Sequence, residues 1–357
     1  MPNSQKLSKL KKYYEITLET ITPVHVGSGE EYINGLDFIG DSFFDINRLM
    51  REVSTDSSLM NKLCNEIEKG TLRDFYKSNS NLFSKISEKK SVPNSISGQN
   101  IKKHIKTNGK TYLPGSSIKG AIRTAIAASY AYDENHNYQD LLSSINDYCR
   151  DTKYADKKLL ESMFGKDPKE NLMRILTVTD ATVGKSSRIY EMLVLNSVRM
   201  RGKKIFYEMI PENTELRCSI TLDQFLSDEE NRKKAKIPKH AFSFNEIIEA
   251  IKEDADANAV INMDFQNNEI SSFYKMLKEN YLDKGDIVFN LGAGIGWIGT
   301  TGNLIGKKLT ESVRKNLRLS SDADHIKQPF PKTRRVVDVG RKIVPPGWVK
   351  MTFEEIL

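Results

Sequence analysis

Apolar and polar positions alternate from Tyr13 to Val26, with many β-branched residues, a period of two that predicts a strand. The run closes on His25-Val26-Gly27-Ser28-Gly29, a turn signal. Leu36 to Ile46 carries a shorter version of the pattern and predicts a hairpin turning at Gly40-Asp41. Residues 47–87 are polar at helical spacing, interrupted by Gly70, and predict several short helices. Ser91 to Lys110 is rich in Ser, Asn and Gly and reads as a mobile loop. Pro114-Gly115 then makes a turn, Ser116 or Ser117 serves as N-cap, and an Ala-rich helix is expected over Ile118 to Ala131.

Further along, short helices are predicted at Gln139 to Cys149 and Lys157 to Phe164. Four strand-like runs follow at Met173 to Val183, Tyr190 to Arg199, Lys204 to Ile210 and Glu215 to Leu222. A helical pair is expected at Phe244 to Ala257 and Ser271 to Leu282, then a strand from Asp286 to Leu291 leading into a glycine-rich loop. Leu304 to Leu317 reads as a basic helix, and 327–350 as an extended arm closing on a strand near Trp348 to Phe353. Strands interspersed with helices at both ends predict an α+β chain of two sheet-and-helix units. The expected division is 1–165, with a helical insertion at about 47–110, and 166–357.

Composition narrows this picture only slightly. A chain of 357 residues with 38% hydrophobic side chains has length and apolar content for two packed units. Its net charge of +7 favours a polyanionic partner, although a mildly basic soluble protein with no such partner is an equal reading. The charge is uneven: Lys89 to Tyr132 holds eight Lys or Arg and no Asp or Glu. Cys64, Cys149 and Cys218 have neither zinc-knuckle nor redox spacing, which suits a reducing compartment. No apolar run reaches signal-peptide or membrane-spanning length, so a cytoplasmic protein without a membrane partner is expected.

Candidate chemistry concentrates in four places. A helix N-terminus carries unpaired N–H groups and partial positive charge, so Gly115, Ser116 and Ser117 could receive a phosphate, with Lys119 and Arg123 one turn apart beside it. An ordinary capped helix with two surface cations competes with that reading. Gly294, Gly296 and Gly299 match G-x-G-x-x-G, but too little chain follows for a dinucleotide fold and no βαβ unit precedes. What remains is a glycine backbone, from Gly292, able to lie against a sugar-phosphate chain, with Trp297 either stacking on a base or anchoring the loop. Arg334 and Arg335, followed by Arg341-Lys342, suit phosphate contact or form a solvated basic tail. His25 and Asp37 are candidates for ribonuclease chemistry; a structural histidine and a turn aspartate are the stronger readings.

Three motifs occur in order: Thr22 to Gly29 (TPVHVGSG), Tyr112 to Arg123 (YLPGSSIKGAIR) and Leu291 to Trp297 (LGAGIGW). Together they resemble the RAMP superfamily of CRISPR proteins, built on ferredoxin-like, RRM-related units. The chain's length, its helical insertion and its single late glycine loop are similar to those of the subunit that caps the guide RNA 3′ end in type III-A Csm complexes. The resemblance implies a crRNA-binding structural subunit, needed for assembly and 3′-end maturation, with no catalytic residue, metal or cofactor. It implies other Csm subunits, including a backbone RAMP neighbour, as partners, together with target RNA and recruited host ribonucleases. On this reading Gly115, Ser116, Ser117, Lys119 and Arg123 contact guide backbone, Gly292, Gly294 and Gly296 pack on RNA or on the first unit, and His25 and Gly27 shape the same cleft. The alternatives are a RAMP endoribonuclease using His25 or Asp37, and the terminal RAMP subunit of a type III-B (Cmr) complex.

Overall fold

The computed structural model describes residues 11–356 except 133–156, 184–186, 197–201, 227, 236–241, 301–330, 332 and 341. The expected helices at 139–149 and 304–317, and Cys149, lie outside the described residues.

The first strand shows how the sequence pattern becomes a layer. In β1 (Lys11–Thr20), Tyr14, Ile16, Leu18 and Thr20 face the core while Tyr13, Glu15 and Glu19 are exposed. This is the period of two carried into a sheet with one covered face. β1 pairs antiparallel with β13 (Glu215–Asp223) on one side and β17 (Trp348–Ile356) on the other. β14 (Ile287–Asn290), β10 (Ala181–Val183), β9 (Leu176–Val178), β8 (Lys110–Leu113) and β7 (Lys106–Thr107) complete this sheet, in the order β14-β17-β1-β13-β10-β8-β7 with β9 also on β13. Helices Gly115–Tyr132 and Phe244–Met263 cover its inner face, packing Ile118, Ile122, Ile247 and Ile251 against Ile16, Leu18 and Ile220. The second helix is started by a capping box between Ser243 and Glu246.

A second sheet runs β16 (Ile343–Val344), β15 (Thr333–Asp338), β11 (Arg188–Asn196), β12 (Lys204–Met209), β6 (Ile101–His104), β2 (Gly27–Tyr32). Helix Asn268–Asn280 packs Phe273, Tyr274 and Leu277 against Val336, Val344 and Trp348, tying this sheet to the first. The insertion comprises helices Ile46–Val53, Ser57–Glu68, Arg73–Ser78 and Ser80–Ile86 around a core of its own. Its hairpin, β3 (Phe38–Ile39) and β4 (Ser42–Phe43), turns at Gly40 as predicted, with β5 (Glu88–Lys89) alongside.

The α+β class stands, and several local expectations change. The supposed loop Ser91 to Lys110 contains β6, inserted between β12 and β2, because Ile101 and His104 are buried there and strand pairing outweighs loop-like composition. The supposed arm at 327–350 contributes β15 and β16. The run Met173 to Val183 is broken into a 3-10 turn (Leu172–Ile175), β9 and β10 by a kink at Thr179-Asp180. Each of the two large sheets draws strands from both sides of residue 165, so the expected division there does not separate one of them from the other. Among the described residues, no helix is long and apolar enough to cross a membrane.

Candidate nucleic-acid interface

The three motifs converge on one buried point. After β1 the chain bridges Val24 to Ile210 and buries His25, whose Nδ1 lies 2.7 Å from the Glu208 carbonyl oxygen. A carbonyl only accepts, so His25 carries its proton on Nδ1. His104, on β6, packs edge-on against His25 at 5.6 Å. Its Nε2 donates to the Tyr112 carbonyl at 2.9 Å, two residues before Pro114, while its Nδ1 accepts from the Val26 amide at 3.3 Å. The Ala293 amide in turn donates to the His25 carbonyl at 2.7 Å. His104 and the His25 carbonyl thus join the first strand end, the approach to the PGSS helix and the glycine loop.

Both imidazoles are neutral. Burial pushes His25 below its ordinary pKa, and pushes His104 down to about 4. Beneath them lies Glu208, fully buried, which accepts from Lys106 at 2.6 Å, Ser187 at 2.7 Å, the His104 amide at 3.2 Å and Lys90 at 3.3 Å. Burial alone would raise this carboxyl; the Lys106 and Lys90 ammonium groups more than reverse it, so Glu208 stays ionised below the usual carboxylate range. Neither His104 nor Glu208 was singled out in the sequence. The available signal was a glutamate set in the otherwise strand-like KIFYEMI.

The glycine loop is held by contacts that only glycine permits. Gly292 has φ 88°, and a Cβ there would sit 2.4 Å from the His25 carbonyl oxygen. Gly294, at φ 99°, would place a Cβ 2.5 Å from Pro346. Gly296 differs: it is exposed, at φ 72°, with only the Gly294 oxygen within 4.0 Å of a Cβ. Gly292 and Gly294 therefore serve the chain's own packing, the first on His25 of the first motif and the second on Pro346 and Met192, and Gly296 is the one of the three open to an approaching backbone.

Beside the loop is a cleft of about 500 Å³, lined among others by Asn262, Gly294, Gly296, Trp297, Arg334 and Arg335. Arg334 is not on a tail. It donates to the Asn262 amide oxygen and, at 2.8 Å, to the Pro331 carbonyl, with its guanidinium 4.6 Å from the Phe265 ring centre. Burial lowers its pKa to about 10, so it remains a cation at neutral pH, fixed and partly desolvated at the cleft wall. Arg335 is exposed and makes no ion pair among the described residues.

The PGSS segment departs from expectation. The helix begins at Gly115, so Ser116 and Ser117 lie in its first turn and neither is the N-cap. The cap is Asp180, whose carboxylate accepts from the Gly115 amide at 2.8 Å. An anion thus already occupies the first of these amides. Gly115 is required by its own fold, because a Cβ would meet the Val178 carbonyl at 2.2 Å. Lys119 donates to the Leu176 carbonyl at 2.6 Å and is lowered by desolvation, while Arg123 lies 5.0 Å from the Phe164 ring centre. Both cations are engaged with the protein. Gly27 lies against His25, its Cβ position 3.3 Å from Nε2. Asp37 accepts from the Ile33 amide at 2.7 Å and closes a turn. No group of three or more potential metal ligands occurs among the described residues.

The RAMP superfamily model matches residues 17–299, most of the chain and all three motifs. This chain belongs to the RAMP superfamily. The RAMP protein is 27% identical over 384 aligned residues to "CRISPR system Cms protein Csm5" of Methanocaldococcus jannaschii, covering 96% of this chain and 89% of that one. A chain in the cryo-EM structure of a Csm–crRNA–target RNA ternary complex of a type III-A CRISPR–Cas system matches with TM-score 0.70 and 25% identity, over 95% of this chain and 100% of its own. The crystal structure of T. onnurineus Csm5 shares the fold, with TM-score 0.64 at 22% identity, covering 94% of the RAMP chain and 99% of that one.

Proposed function

We propose that this chain is the crRNA-binding structural subunit of a type III-A Csm complex that caps the guide's 3′ end and has no active site of its own. The observation that carries the reading is the junction of the three RAMP motifs beside a cleft walled by glycine backbone, the fixed Arg334 and the exposed Arg335. Likeness over nearly the whole chain to a protein named Csm5, and to a chain of a Csm–crRNA–target RNA complex, supports the same subunit role. Partners on this reading are crRNA, the adjoining backbone RAMP subunit and other Csm subunits, target RNA, and host ribonucleases recruited for 3′ maturation, all in the cytoplasm. Gly296, Trp297, Arg334 and Arg335 line the RNA path, and Ser116 and Ser117 extend it at the start of helix Gly115–Tyr132. A guide's sequence varies while its backbone does not, so recognition rests on phosphate and ribose.

The test is a salt titration of crRNA binding by the full chain, beside an unrelated single strand. Arg335→Ala should weaken both RNAs alike, by about three- to tenfold, and reduce the log–log salt slope by roughly 0.7, the share of one phosphate contact on a single strand. Loss confined to one sequence would replace backbone recognition with base readout. Cleavage of repeat RNA with divalent metal, abolished by His25→Ala or Asp37→Ala, would make the protein an endoribonuclease instead. Co-purification with type III-B rather than Csm neighbours would move it to the Cmr complex.

A further inference from the structure

The sheet around β1 stops short along one edge. β17 is nine residues long, yet β14 pairs with it only from Trp348 to Met351, because the chain leading into β14 turns away through Leu282–Lys284 and Gly285. Thr352 to Ile356 keep β1 on one side and, among the described residues, have no strand on the other. All five are exposed. The ladder's alternation fixes which of them face outward. Leu291 donates to the Gly347 carbonyl and Ile21 to the Trp348 carbonyl, so odd-numbered residues turn their backbone toward the β14 side. Phe353 and Glu355 therefore offer N–H and C=O groups to an edge with no strand among the described residues, a template for strand addition. The segment TFEEI has none of the prolines or lysines that usually guard such an edge.

Side chains on the two faces specify the incoming strand. On the covered face Phe353, 42% exposed, stands edge-on to Phe244 at 4.8 Å, over a groove of about 390 Å³ whose lining combines Tyr14, Phe242 and Phe244 with Lys12, Glu246 and Glu355. On the open face Glu354 lies directly opposite Glu15, and neither has an ion pair among the described residues. Like charges facing each other across a ladder are unfavourable, and a cation on a neighbouring strand would offset them. We propose that the Thr352–Ile356 edge receives an extended segment of a partner protein, with Lys or Arg opposite Glu354 and an apolar side chain opposite Phe353. This surface is separate from the cleft assigned to RNA.

Fluorescence anisotropy of the full chain with a labelled peptide of alternating Lys and Val (KVKVKVK) tests it, with the glutamate analogue (EVEVEVE) beside it. Antiparallel pairing with Phe353 uses the valine amides, so N-methylation of the valines should weaken binding by at least about tenfold. N-methylation of the lysines should leave it intact. Glu354→Lys, at an exposed position, should reverse the preference to the glutamate peptide. Equal binding by the two methylated peptides reduces the contact to bulk electrostatics and overturns the proposal, as does no binding at millimolar peptide. A dimer in sedimentation that Glu354→Lys dissolves would instead make the occupant a second copy of this chain, and overturns it too. Single-stranded RNA affinity, measured on the same variant, reports separately on the cleft.

Discussion

Mild acid should loosen the motif junction through His104. Its imidazole must be neutral in the fold, where Nδ1 accepts from Val26 and Nε2–H donates to Tyr112. The unfolded chain binds a proton near 6.5 and the folded one only near 4. A pKa lowered on folding gives stability that is complete above 6.5 and drains away as pH falls from 6.5 toward 4. From pH 7 to pH 5 the loss comes to about 2 kcal/mol at this one residue. For a chain of this size each kcal/mol moves the melting temperature by only ~1–2 °C, so about 2–4 °C is expected. His25, lowered by the same burial, adds to the slope. His104→Gln keeps a donor for the Tyr112 carbonyl but cannot take a proton, so it should melt lower at pH 7.5 and lose less on acidification. Differential scanning fluorimetry from pH 7.5 to 5 measures both curves. If wild type and His104→Gln descend in parallel, His104 is not a proton-excluding hub and the burial argument is wrong.

Gly292→Ala should cost about 2–4 kcal/mol, from a left-handed φ plus displacement of the His25 carbonyl, and Gly296→Ala only about 1; equal losses by denaturant titration would remove the distinction between them. Glu208→Leu should destabilise by roughly 3 kcal/mol, because Lys106 and Lys90 lose their buried counter-charge, and adding Lys106→Met should recover part of it in a double-mutant cycle. Arg334→Lys keeps the charge but loses the fork to Asn262 and Pro331; crRNA affinity should fall in gel-shift titrations, whereas unchanged affinity would detach Arg334 from RNA binding.

Much of the layer structure was legible because period and burial agree. Tyr14, Ile16 and Leu18 face one way along β1, and the helical spacing from Phe244 predicts the helix that covers them. The spacing predicts that helix only to Ala257; it runs to Met263, with Asn258 and Asn262 buried on it and the latter holding Arg334. β6 was missed because its partners arrive from distant parts of the chain, β2 and β12. The motifs located the junction, yet the roles within it were inverted in places. Gly115 looked like room for RNA and turns out to be room for the Val178 carbonyl, while Gly292, expected on RNA or on the first unit, packs on the first unit at the His25 carbonyl. Local sequence cannot separate those uses, since both need a missing Cβ. Asp180 as the helix cap was invisible because it comes from 65 residues away.

The placement of β1 between β13 and β17 bears on how the protein is made. Tyr13 finds one neighbour at Thr221 and the other only at Ile356. A ribosome adding about 5–20 residues per second would keep the first strand waiting roughly 20–70 s for its last partner. Meanwhile the insertion, with short-range contacts and its own core, can settle early. Once β13 is made, the half-built sheet would spend the last roughly 7–27 s of that interval with an unpaired side, the period when a bound chaperone or a nascent sister subunit would matter most.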